Sequence, residues 1–524
     1  MSRLSRLGLA ARYAAELPRF LRTPVTAGAA RAQIAAALER RERSFLEILE
    51  RGVFGHAASP YRPLLAAAGV EFGDVETLVR RDGVEGTLEQ LYDAGVRITL
   101  SEFKGRRPIV RPGLELEVTG ASFRNPLASA HFEKLTGGSR SVGQRVTTDL
   151  ALLAYEAAHH RLFLDALGLG GRPMAIWGAR ASSTARVALR HVKAGESVDR
   201  WLVKMPLPRG EHKLIAERLI HRSAKLSRRL GLAGLATPEH VPAGATATVA
   251  RWLAAERAAG RPALLETTPS TAVRTCVAAA EQGLDISETW FRLAGEPFTE
   301  GKAAVIRGAG SYGACHYSMA EIGRIGMACA APAAVDDVHL LTDKVALIRR
   351  LHDGQGGPAM PSFHITTLLA SCPSLMLNVE VDDYGVLDTR SCGCPFGELG
   401  LTLHLHGIRS YEKLTVDGVN FLGSDLIVLV DEVLPARFGG SPTDYQLVEE
   451  EVDGVTRLGI VVSPRIGELD ESAVLDVVTG VLRGNSANRG MVDVWRDAGT
   501  FRVVRREAYE TSGAKLLPLH LVQG

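Results

Sequence analysis

Aromatic residues make up only 6% of this 524-residue chain, and its six cysteines stand far apart at 276, 315, 329, 372, 392 and 394. Thiols this sparse do not staple a small secreted scaffold; they fit a reducing compartment, as free thiols or metal ligands. An excess of one charge is also lacking. Sixty-one basic residues face 59 acidic ones, a net charge of +2, so no global field points to nucleic acid or to a membrane surface. No apolar run approaches the length that spans a bilayer. Met1 to Arg12 carries three arginines but no apolar signal core, and reads as a frayed basic end on a cytoplasmic protein. What remains is ordinary globular composition, 46% hydrophobic and 23% charged, in a chain long enough for two or three domains.

The densest chemical signal is Leu135-Thr136-Gly137-Gly138-Ser139-Arg140-Ser141-Val142-Gly143-Gln144-Arg145. Glycines let backbone N–H groups approach an anion, hydroxyls donate hydrogen bonds, and guanidiniums neutralise charge. The segment lacks the Gly-Lys-Ser/Thr ending of a Walker loop. By composition alone it is equally a plain glycine-serine turn before a helix.

Residues 30–51 show an amphipathic helical pattern, with Ile34, Leu38, Phe45, Ile48 and Leu49 on one face. Short helical patterns continue to the basic turn Lys104-Gly105-Arg106-Arg107-Pro108, so 1–107 is expected to be a helical N-terminal segment. Beyond it, helix 148–167, strand 173–177, strand 263–267, helix 270–282 and strand 290–294 alternate in the rhythm of an α/β body over 108–408. Strand-like 446–448, 458–462 and 501–504 with helical 424–434 and 471–483 predict a small α+β domain over 409–524. The basic stretch 212–230 reads as a solvated helix face, without the aromatic interleaving of a nucleic-acid patch.

Four further segments follow the glycine-rich loop in order: Gly295-Glu296-Pro297, Tyr317-Ser318-Met319-Ala320-Glu321, Asp382-Asp383-Tyr384-Gly385, and Arg409-Ser410-Tyr411-Glu412-Lys413-Leu414. The series resembles the adenylate-forming superfamily of acyl-CoA synthetases, adenylation domains and luciferases, nearest its phenylacetate-CoA ligase and acyl-protein synthetase branch. The resemblance implies that the loop, with Thr136, Gly137, Gly138, Ser139, Arg140, Ser141, Gly143 and Arg145, holds ATP phosphates, and that Gly295, Glu296 and Pro297 belong to the ATP site. It implies that Tyr317 stacks on adenine, Glu321 holds Mg2+, Asp383 binds the ribose and Arg409 stands at a hinge. Lys515 matches the lysine that such enzymes bring in from the small domain. The residue types suit the roles: carboxylate oxygen for a hard cation, and a compact ammonium for charge building at an α-phosphate. Singly, each has a plain reading too, Asp382-Asp383 as a turn and Lys515 as a surface lysine. Departures include Ala320 for the family's threonine, Glu380-Val381-Asp382 for its Arg-Thr-Gly, Tyr411 for aspartate and arginines for the loop lysine.

Cys392-Gly393-Cys394 is a turn able to present two thiolates to one tetrahedral ion. In the resembled branch a comparable pair joins a cysteine and a histidine, which here would be Cys329 and His339 on a structural Zn2+. Cys315, His316, Cys372 and His364 are alternatives for a missing ligand. His159 and His160 point to different helix faces and read as structural. The expected function is ATP-dependent adenylation of a small carboxylic acid followed by acyl transfer to CoA. The alternatives are transfer to an amine or protein thiol, or a degenerate nucleotide-binding protein. No nucleic-acid or membrane partner is expected, and a homodimer is compatible with the sequence.

Overall fold

The computed structural model describes residues 3–135, 145–207, 222–227, 229–351, 361–410, 415–416, 419–420, 423–452, 455–484, 501–511 and 514–522. The α/β alternation produces one twelve-stranded sheet. Five strands, Met174–Gly178, Arg200–Val203, Pro238–His240, Leu264–Thr267 and Trp290–Ala294, run parallel. Their near-continuous apolar runs are what a sheet covered on both faces requires: Ala175, Ile176, Trp177, Leu202, Leu265, Phe291 and Leu293 are at most 1% exposed. Tyr312–Met319 is the seam. It pairs parallel with Trp290–Ala294 and antiparallel with Gly323–Ala328, after which the remaining strands are antiparallel.

The chain runs from Met174–Gly178 outward through Arg200–Val203 to Pro238–His240, then returns to place Leu264–Thr267 on the other side. The strand order therefore reverses between Met174–Gly178 and Leu264–Thr267. In open α/β sheets, ligands bind beyond the carboxyl ends of the strands at such a reversal.

The N-terminal segment shares the core of the antiparallel half. Phe45, Ile48, Leu49, Leu65, Val75 and Phe103 pack in one buried cluster with Ile322, Ile325, Phe363, Val379 and Leu405. Tyr61 fixes the contact, its hydroxyl donating to the Leu375 carbonyl and accepting from Leu377 N, both at 3.2 Å. Two expectations are corrected here. The 30–51 pattern is two helices, Ala27–Glu39 and Arg41–Leu49, broken at Arg40, whose backbone leaves the helical region. The basic N-terminus is not frayed: Arg3–Arg22 is a helix whose Tyr13, Leu17, Phe20 and Leu21 are buried. Arg12, Arg19 and Arg22 are exposed, on the face left over from that apolar set, which composition alone does not reveal.

At the C-terminus, a four-stranded sheet of Tyr445–Val452, Val455–Val462, Phe501–Arg505 and Leu519–Val522 packs with Glu471–Gly484 around its own core of Leu426, Leu447, Ile460, Val474 and Val478. Among the described residues no helix is long and apolar enough to cross a membrane.

Candidate active site

Strand Trp290–Ala294 ends in Gly295-Glu296-Pro297. Ala294 is in register with His316, which puts Gly295 beside Tyr317 at the carboxyl edge of the sheet. Gly295 has φ +89°, in the left-handed region that favours glycine. A Cβ there would lie 3.2 Å from Lys515 Cε and 3.5 Å from its Nζ, so the lysine of the small domain lies across a bare glycine. The lysine's loop is tied down around it. Glu296 is 7% exposed; its Oε2 accepts from Ser270 N at 3.0 Å and Ser270 Oγ at 2.6 Å, and its Oε1 from Leu516 N at 2.7 Å. One carboxylate thus joins the N-terminus of helix Pro269–Glu281 to the residue after Lys515, where backbone N–H groups favour negative charge.

Lys204 stands just past the end of Arg200–Val203 and donates to Thr271 Oγ1 at 2.6 Å and the Ala514 carbonyl at 3.2 Å. Burial lowers its ammonium pKa, opposed by Glu510 and Glu296. Arg274 pairs with Glu510 beside it. Ala514 itself has φ +53°, an uncommon conformation for a residue with a Cβ. Lys515 is therefore seated at the reversal of strand order by contacts on both sides of it.

Tyr317 donates to Asp383 Oδ2 at 2.7 Å, bringing together two residues 66 apart in sequence. Burial pushes its hydroxyl pKa well above the ordinary value, and the Asp383 charge adds to this. Asp382 and Asp383 are not a turn but part of strand Val379–Thr389, with Asp382 held at φ +55°. Arg409 lies on the adjacent strand opposite Tyr384, and its Nη1 is 3.3 Å from Asp336 Oδ2.

Glu321 follows the seam strand, is 5% exposed, and is ion-paired with Lys104. The basic turn at 104–108 thus supplies a cation to the site from 217 residues away, a link that local sequence patterns do not carry. A cavity of about 320 Å³ opens on Glu321, lined by Phe103, Thr119, Arg124, Thr147 and Ser374. One carboxylate at a cavity of mixed polar and apolar lining suits Mg2+, which takes one or two carboxylates and completes its shell with phosphate and water. Leu135 pairs with Arg145 as two strands flanking the glycine-rich segment. Residues 136–144, hence Thr136, Gly137, Gly138, Ser139, Arg140, Ser141 and Gly143, and the Arg145 side chain lie outside the described residues.

Cys329, His339, Cys392 and Cys394 converge, their ligand atoms all within 4.8 Å of one another. His339 Nε2 lies 3.0 Å from Cys394 Sγ and 3.7 Å from Cys392 Sγ. His339 Nδ1 is 2.7 Å from the Leu401 carbonyl. A proton on Nδ1 leaves the Nε2 lone pair turned to the sulfurs, as a metal-ligating histidine requires. Three sulfurs and one imidazole fit tetrahedral Zn2+. The alternatives do not converge: Cys372 sits in the N-terminal core, His364 packs on Tyr92, and His316 packs on Phe163. His159 and His160 are both fully buried, the first on Asp343 and the second on His191.

No family model and no curated protein matches the chain. Among solved structures it is similar to 2-hydroxyisobutyryl-CoA ligase in its postadenylation state with 2-HIB-AMP. The identity is 15%, over 93% of this chain and 89% of that one, with a TM-score of 0.53. The same ligase with R3-HIB-AMP matches at 14% over the same shares, with a TM-score of 0.52. At these identities the likeness is one of fold. The chain thus shares the fold of that ligase, with a large α/β body and a small C-terminal α+β domain.

Proposed function

We propose that the protein adenylates a small carboxylic acid with ATP and passes the acyl group to CoA. The observation that carries this reading is the seating of Lys515 across Gly295, at the strand-order reversal and beside the Tyr317–Asp383 pair. Tyr317 and Gly295 flank the adenine, Asp383 accepts from the ribose hydroxyls, and Glu321 holds Mg2+ on the phosphate side. A carboxylate oxygen of the acid attacks the α-phosphorus. The new O–P bond forms as the bond to pyrophosphate breaks, and the Lys515 ammonium stabilises the charge shared between them. Attack by a thiolate on the acyl carbon then expels AMP. Arg409 near the C-terminal end of strand Leu403–Ser410, next to the division proposed at 408/409, suits a hinge between the two half-reactions.

The similarity to a CoA ligase and the inferred small-acid chemistry support CoA as acceptor. Structural Zn2+ at Cys329, His339, Cys392 and Cys394 belongs to the same reading. Acid-dependent ATP–pyrophosphate exchange tests it: exchange is expected in the wild type and lost in Lys515→Ala and Glu321→Ala. CoA-independent hydroxamate trapping, with no thioester formed on adding CoA, would redirect the second step to an amine or protein thiol. Ala320 and the Lys104–Glu321 pair favour one other reading, a nucleotide binder without turnover. It predicts ATP binding with no exchange for any acid.

A further inference from the structure

Arg186 reaches the Ala320 carbonyl from a group of buried charges that the adenylation reading does not use. Glu156 of helix Leu150–Ala166 is fully buried. Its Oε1 accepts from Lys344 Nζ at 2.6 Å and Arg324 N at 2.7 Å, and its Oε2 from Arg190 Nη1 at 2.8 Å. Arg186 Nη1 donates to the Ala320 carbonyl at 3.2 Å. Gly323, at φ +83°, makes the convergence possible. A Cβ there would run into Glu156 Oε1 and come within 3.0 Å of Arg186 Nη2 and Lys344 Nζ.

The charges do not balance. Arg186, Arg190, Arg324 and Lys344, at 5%, 6%, 2% and 0% exposure, share one carboxylate, Glu156. Of the other acids nearby, Glu321 is paired with Lys104 and Glu266 with Arg292; Asp343 accepts from Tyr155, lies on His159 and also feels the Lys344 charge, so the cations still outnumber the anions. Arg186 Nη2 and Arg190 Nε are buried without a hydrogen-bond partner. Among the described residues, the Arg324 guanidinium donates to nothing stronger than the Met327 thioether. Uncompensated cations in a low-dielectric interior are unfavourable unless an anion joins them.

The position of the surplus says which anion. The Ala320 carbonyl, bound by Arg186, is one residue from Glu321, where the reacting carboxylate must meet the nucleotide. Arg186, on that carbonyl, links the surplus charge to the backbone beside Glu321. An apolar acyl chain would leave these guanidiniums uncompensated, whereas a second carboxylate would take them as bidentate partners. We propose that this cluster of buried cations binds the distal carboxylate of a short dicarboxylic acid, whose proximal carboxylate is the one adenylated. The proposal rests on the adenylation reading for the fate of the proximal group only.

The test compares malonate, succinate, glutarate and phthalate with propionate, butyrate, valerate and benzoate. Each is measured for binding by calorimetry and for ATP–pyrophosphate exchange, in the wild type, Arg186→Met and Arg324→Met. A site built on hydrogen-bonded ion pairs rejects an analogue lacking the partner group, so a dicarboxylate is expected to exceed its monocarboxylate by roughly 100-fold or more. Ligand-free Arg324→Met is expected to melt no lower than the wild type, since methionine removes an uncompensated charge. It is also expected to lose the rise in Tm that the dicarboxylate gives the wild type. If Arg324→Met does not fold, Arg186→Met carries the comparison. Monocarboxylates equal to or better than dicarboxylates would overturn the proposal, as would an unchanged preference in both variants or no binding of any dicarboxylate. Saturable binding of inorganic phosphate that no acid displaces would assign the cluster to a free anion and likewise overturn it. Dicarboxylate binding without exchange would keep the carboxylate site and sink adenylation. Monocarboxylate exchange without dicarboxylate binding would do the reverse.

Discussion

Lys104 and Glu321 form the pair on which the phosphate side of the site turns. Their side chains are 20% and 7% exposed, so Lys104→Met leaves a mostly buried carboxylate without its cation. The expected loss is roughly 2–3 kcal/mol, toward the low end for a broken buried pair because Lys104 keeps some contact with water. Mg2+ at millimolar concentration is expected to restore part of the lost Tm by taking the same carboxylate. An unchanged Tm, or an identical Mg2+ response in both proteins, would contradict this. Tyr317→Phe removes a 2.7 Å hydrogen bond to Asp383. A bond to a charged group is worth about 1.5–3 kcal/mol, and differential scanning calorimetry should register a loss of that order.

These residue pairs also mark the limit of what the chain discloses by itself. Tyr317, Glu321, Asp383 and Lys515 are recognisable because a resembled family supplies their order. Lys104 was legible only as part of a basic turn, since its partner lies 217 residues on. Arg186 and Arg190, one helical turn apart, are buried against the Ala320 carbonyl and the Glu156 carboxylate of two other segments, which no local pattern shows.

Elements were more legible where local and global demands agree. Trp290–Ala294 falls on its expected residues because an apolar run in a covered parallel strand has no competing period. The Cys392-Gly393-Cys394 turn was visible for a different reason, the tight spacing of its thiols. Its completion by Cys329 and His339 depends on the antiparallel strands Gly323–Ala328 and Val338–Leu340, which bring those residues together. Purified protein is expected to carry one zinc per chain. Cys392 and Cys394 should then resist alkylation until a chelator is added, and Tm should fall on its addition. Metal-free protein with freely alkylated thiols would remove the zinc site.

The layer between helix Leu150–Ala166 and the sheet has its own pH signature. His160, His191 and His316 all have pKa values well below the ordinary 6.5, through burial first and through Arg292 or Arg324 next. The folded protein therefore holds them neutral while the unfolded chain protonates them near 6.5. Their contribution is intact above that pH and is lost as pH falls below it, at about 1.4 kcal/mol per pH unit for each imidazole. Denaturant unfolding from pH 7.5 to 5.0 should show this decline. A flat profile would mean that all three take up protons in the folded state.

For the molecule as a whole, the central relation is between the two domains. The contacts that join the small domain's own core to the large body include Leu516–Glu296, Ala514–Lys204, Glu510–Arg274, Arg465–Glu281 and Asp431 with Thr299 and Lys302. These contacts are polar, which would suit an interface that opens between the half-reactions proposed above. The α/β rhythm and the separate C-terminal unit were visible in the sequence. The joining of the N-terminal segment to the antiparallel half was not, because its apolar faces show that something covers them without showing what. The most direct test of the account is acid-dependent ATP–pyrophosphate exchange in the wild type and Lys515→Ala, with folding checked by Tm. The account predicts exchange that requires an acid and falls at least about 100-fold in the variant, the scale of losing one charge-stabilising group. Exchange at the wild-type rate in Lys515→Ala, or none with any acid in the wild type, would contradict it.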